Sequence, residues 1–100
     1  MEDQARIDIG RAERARAILE DEMVKGALAD MKRLIVEAWE QSPVRDVEGR
    51  EHLHRYLKVI GQFEGAFIAH ITTGKVAAHH IRAEEERKSA MARIMERVRG

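Results

Sequence analysis

The sequence has no cysteine, one proline, four aromatic residues and no net charge, its 18 Lys and Arg matching 18 Asp and Glu. Without cysteine, no disulfide can staple a small core. A chain of 100 residues must then gain its stability from long-helix packing or from another copy. The missing thiols also agree with a reducing compartment. Zero net charge removes the long-range field that draws a whole domain to nucleic acid or anionic lipid, so any such role must rest on a local patch. No charge-free stretch approaches the roughly 20 residues that a spanning helix needs. "MEDQARIDIG" carries acids where a secretory leader needs a basic and then an apolar segment. The expectation is a soluble intracellular protein.

What is present is helical in character: many Ala, Glu, Arg and Met, with 44% apolar and 36% charged residues, a balance that favours helix over disorder. Between Asp21 and Gln41, the positions Val24, Ala27, Leu28, Met31, Leu34, Ile35, Ala38 and Trp39 recur at three- and four-residue steps and share one helical face. Asp21 is the expected N-cap, with Glu22 suiting the positive helix start. Upstream, "GRAERARAILE" predicts a short helix over about 11–20, and residues 1–10 fall outside it as a candidate disordered segment. The polar pair Glu20 and Asp21 interrupts the apolar stripe there and predicts a bend.

"QSPVRDVEG" is the clearest break, because Pro43 disfavours helical geometry at Ser42 and lacks a backbone donor. Asp46 can cap the next helix, predicted over about 47–73, where Leu53, Tyr56, Leu57, Ile60, Phe63, Phe67 and Ile71 form a narrow stripe. Helices over 21–41 and 47–73 joined by so short a turn predict an antiparallel hairpin. Gly74 is the expected left-handed stop. A separate helix over 75–100 follows, with Ala77, Ile81, Met91, Ile94, Met95 and Val98 as its apolar positions. Its middle, "RAEEERKSA", is polar nearly all round, so residues 82–100 are expected to project or to order with a partner. The fold class is therefore all-α: one helical domain, a hairpin flanked by terminal helices and completed by oligomerisation.

Signatures of chemistry are few. "FEGAFIAHITTGK" resembles part of a phosphate loop, but Gly65 precedes Gly74 by nine positions and Val76 follows Lys75, which breaks the required spacing. Glu51 and His54 form one Glu-x-x-His pair of the ferritin-like kind, yet both point away from the stripe, and a lone pair is half a site. His79 and His80 stand about 100° apart on a helix; His80 with Glu84 offers at most two ligands. Glu84 to Lys88 reads as a solvated face. Glu64 lies on the stripe between Leu57 and Phe67, at its edge and reaching water or, if buried, in a register-setting pair with a partner such as an arginine or histidine. No nucleophile or general acid accompanies it, and the expectation is no enzyme, no cofactor, no metal and no small-molecule substrate.

Two features point to partners. Gly61, Gly65 and Ala69 form a smooth ridge, a small residue every fourth position. Glycine costs roughly 1 kcal/mol in a helix interior, so two of them suggest close approach by another helix. The ridge, with Trp39, Phe63 and Phe67, is the expected packing surface, met by the first or last helix of the same chain or by another subunit. Arg11, Arg14 and Arg16 near the start, and Arg93, Arg97 and Arg99 at the end, are candidate nucleic-acid contacts. Neighbouring acids dilute them, but a ring of copies would strengthen them.

The segments "AERARAILEDEMVKGAL", "EAWEQSPVRDVEGREHLHRYL" and "FIAHITTGKVA", with Trp39, Ser42-Pro43, Asp46, Gly49-Arg50-Glu51 and Gly74-Lys75 as their framework, resemble short helical proteins encoded among the structural and packaging genes of tailed bacteriophages. The likeness spans roughly residues 10–80. It implies non-enzymatic work in a virion or its assembly, in the host cytoplasm or the particle, and carries over no functional residues. A DNA-packaging accessory resembling a small terminase subunit, binding DNA as a ring, is the second expectation; a ferritin-like metal-binding protein is the third.

Overall fold

The computed structural model describes residues 2–100, which form three helices, α1 (Glu2–Glu20), α2 (Glu22–Gln41) and α3 (Val47–Arg99), with no strand among the described residues. The break between α1 and α2 falls where the polar pair predicts it. Asp21 is extended (φ −63°, ψ 129°), and its carboxylate accepts hydrogen bonds from the amides of Met23 at 2.9 Å and Val24 at 3.2 Å. Two amides that the new helix would leave unsatisfied are thereby paired. At its other end α1 begins at Glu2 rather than near residue 11. Glu2 and Asp3 suit the positive end of the helix, and Gln4 donates to Asp8 at 2.9 Å one turn later. The half-buried residues there are Ala5, Asp8, Ile9 and Gly10, of which Ile9 alone is a large apolar side chain, too few to register as a stripe.

The second break is built from side chains. Ser42 takes the extended geometry that Pro43 imposes (φ −71°, ψ 142°), and its hydroxyl donates to the Trp39 carbonyl at 2.6 Å. Asp46 caps α3 by accepting from the Gly49 amide at 3.0 Å. A Cβ at Gly49 would press on that carboxylate, which would have to turn aside to keep the cap. Arg50 closes the turn, donating to the Ser42 hydroxyl at 3.1 Å while its guanidinium lies 4.6 Å from the centre of the Trp39 ring.

Gly74 does not stop the helix. α3 runs 53 residues without interruption, and no glycine among the described residues has a positive φ. Gly74 is instead buried against α1: a Cβ there would run into the Ala12 methyl group and approach the Asp8 carbonyl oxygen to 3.1 Å. The glycine permits two helices to approach closely, so the separate C-terminal helix expected after it is the second half of α3. At 1.5 Å per residue, 53 residues span about 80 Å, which accounts for the longest dimension of 82 Å.

The inward positions of α3 follow a regular alternation of four and three: Leu53, Leu57, Ile60, Glu64, Phe67, Ile71, Gly74, Ala78 and Ile81 are all buried or half-buried. α1 answers with Ala5, Asp8, Ala12, Ala15 and Leu19, and α2 with Val24, Leu28 and Ile35. This is the heptad spacing of helices that coil around one another. From Leu19 to Val24 the step is five, so one uninterrupted helix would carry the second seam away from α3. The bend at Asp21 resets the phase. Lys32 of α2 meets Glu64 of α3, and Trp39 near the end of α2 meets Arg50 near the start of α3. α1 lies against the second half of α3, Ala12 on Gly74.

Candidate oligomerisation surface

The seam is thin. Among the described residues Ala12, Ala15, Ile60 and Ala77 are the buried apolar ones, and no large side chain is fully enclosed. Met31, Leu34, Tyr56, Val59, Phe63 and Ile68 all remain at least half exposed, although they belong to the two most strongly patterned segments. The chain presents 8368 Å² of surface, whereas a compact monomer of this length presents about 5,800 Å². Its radius of gyration is 22.9 Å, against about 13 Å for a compact domain of 100 residues.

The expected packing residues divide into two groups. Phe67 is half-buried in the seam, edge to face with Phe63 at 5.1 Å, while Phe63 points outward. Trp39 is covered on one face by Arg50 and otherwise exposed. Gly61, Gly65 and Ala69 lie on the exposed back of α3, and a Cβ built at either glycine meets nothing within 4 Å. The reading of that ridge as a contact with the first or last helix is therefore corrected. The first helix settles on Gly74 instead, and the expected last helix is a continuation of α3 itself. Glu64 is half-buried at the edge of the stripe, and its partner is a cation, Lys32 of α2, at 2.7 Å. Only the fold brings these two positions together.

The arginines form two separate groups. Arg11 and Arg14 border a shallow depression of about 290 Å³ floored by Ile18 and Phe67 and edged by His70; Arg16 is exposed beside it. No ion pair engages these three among the described residues. Arg93, Arg97 and Arg99 stand on the exposed end of α3, the last two suiting its negative terminus. Counted along α3 from His70 to Arg93, the groups are about 35 Å apart. Arg33 on α2 hydrogen-bonds Glu37 at 3.2 Å and Asp30 at 3.5 Å, contacts that push its guanidinium above its already high ordinary pKa.

The candidate ligand pairs stay pairs. Glu51 engages Arg55 at 3.8 Å, His54 is exposed, and the rings of His79 and His80 are 6.3 Å apart. Among the described residues, no three His, Asp or Glu side chains converge as metal ligands. An open groove of about 1110 Å³ between α1 and α3 is bordered by Asp8, Thr72, Val76 and His80, and among the described residues no buried side-chain polar atom lacks a hydrogen-bond partner. No described helix is long and apolar enough to cross a membrane.

No family model, curated protein or solved structure matches the chain.

Proposed function

We propose that the protein is a helical assembly unit: α2 and α3 form a hairpin whose open apolar side is completed by other protein subunits, and its work is structural rather than enzymatic. The observation that carries this reading is the excess of roughly 2,600 Å² over a compact monomer, together with the large apolar side chains that the seam leaves exposed. An isolated chain with so much unpartnered apolar surface is poorly stabilised, and association covers that surface. The resemblance to tailed-phage structural and packaging proteins supports placing the unit in a virion or prophage-derived particle. Light scattering tests the reading directly. A native mass of two or more chains at micromolar concentration is expected, and a monomer overturns it.

A DNA-packaging accessory is the second reading, favoured by the unpaired Arg11 and Arg14 beside His70 on one depression. Repeated around a ring, such groups would line a continuous basic track. Duplex binding that falls steeply as salt rises, and is lost when Arg11, Arg14 and Arg16 become Ala, is the expected result. Absence of binding at low salt ends this reading.

A further inference from the structure

We infer that the apolar side shared by α2 and α3 is where a second copy of this chain docks, face on face about a two-fold axis, to make a four-helix core. The inference rests on the assembly reading above and names its surface and its partner.

The side is located by the ion pair. Taking Ile35 as the inward direction of α2, Lys32 lies about 60° to one flank, while Met31 and Leu34 lie about 40° and 100° to the other. Taking Ile60 as the inward direction of α3, Glu64 lies about 40° to one flank, while Tyr56, Phe63 and Val59 lie about 40° to 100° to the other. In two antiparallel helices the flanks joined by Lys32 and Glu64 are on one side of the pair. The opposite flanks therefore also share a side. Met31, Leu34, Tyr56, Val59 and Phe63, each at least half exposed, form one continuous surface across both helices.

Three observations select a copy of this chain as the occupant. A chain that presents roughly 2,600 Å² more surface than a compact monomer has room to give up the roughly 1,000 Å² or more that each partner contributes to the larger permanent dimers and still leave its other faces free. Every copy exposes the same five side chains on the same side, so one two-fold contact covers both sets at once. With 18 positive and 18 negative side chains, two copies meet without net repulsion. The ridge side, with Gly61, Gly65 and Ile68, is left outward in this dimer.

The absence of cysteine makes a thiol probe clean. Val59→Cys and Ile68→Cys each place a single thiol on α3 at sites of similar exposure in the lone chain, 60% and 53%, on opposite sides of the helix. In the assembled protein at high concentration, the thiol at position 59 is expected to react with a maleimide several-fold more slowly than the thiol at 68, and to become fast on dilution. Phe63→Glu is expected to reduce the mass to that of one chain with helicity retained, while Ile68→Glu leaves the mass unchanged. An assembled protein with both thiols fast, or with position 68 protected and 59 fast, overturns this surface and leaves the assembly reading standing. A protein that is one chain in mass before any substitution overturns both.

Discussion

At the scale of single residues, the same substitution has opposite consequences at two glycines of one helix. Gly74→Ala directs a methyl group into Ala12 and toward the Asp8 carbonyl oxygen. Overpacking of this kind costs about 1–3 kcal/mol, more than the roughly 1 kcal/mol that alanine's helix propensity returns. Thermal unfolding is expected to show a lowered midpoint, restored in part by Ala12→Gly in the same chain. Gly65→Ala meets open space and is expected to add up to about 1 kcal/mol to the stability of the isolated chain. The Lys32–Glu64 pair is 46% and 27% exposed on its two sides, so it sets the side on which α2 meets α3 more than it stabilises them. A double-mutant cycle in urea should return a coupling within about 1 kcal/mol.

At the scale of elements, the caps and the continuity of α3 carry the distinctive expectations. Asp21→Ala removes the acceptor of two amide bonds where the seam changes phase, and should cost about 1 kcal/mol by denaturant unfolding. Lys75→Pro tests whether α3 is one helix. Proline is well tolerated just past a helix end, but inside a helix it removes a hydrogen bond and clashes with the preceding turn, at about 3 kcal/mol or more. Since α3 passes through this point, circular dichroism of the variant is expected to show lost helicity and a lower midpoint. Unchanged helicity would restore Gly74 as a stop. The stretch beyond Ala90 is exposed throughout, with Met91, Ile94, Met95 and Val98 recurring at helical spacing and unmet by any other element.

At the scale of the molecule, shape and surface lead to one expectation. The described residues form a rod 82 Å long and 26 by 19 Å across, with four buried apolar residues among them and many large apolar side chains exposed. If copies cover those side chains, the unfolding midpoint rises with protein concentration, because association stabilises the folded state by mass action. A midpoint that does not move over a hundredfold dilution, with monomeric mass throughout, would remove the basis for the assembly reading. The two arginine groups set a limit at this scale as well. They lie too far apart on one chain to form a single patch, so nucleic-acid binding by this protein would require α1 arginines gathered from several copies.

Much of the local structure was legible in the residues. Helical class, both breaks and both aspartate caps follow from side chains acting on backbone within a few positions, at Glu20-Asp21, at Ser42-Pro43 and at Asp46. The role of Gly74 was not legible, because a glycine that ends a helix and a glycine that admits another helix look alike until the neighbour is known; Ala12, 62 positions earlier, is that neighbour. Tyr56 and Phe63 share the periodicity of Leu57 and Ile60 yet face outward. A stripe read at 100° per residue has a width, and only the position of the second helix decides which part of it is covered. The composition determined by itself that this chain would be helical and poorly supplied with core. The tertiary structure decided which small residues touch, which carboxylate is paired, and which apolar side is left open, since each depends on contacts between residues far apart in the chain.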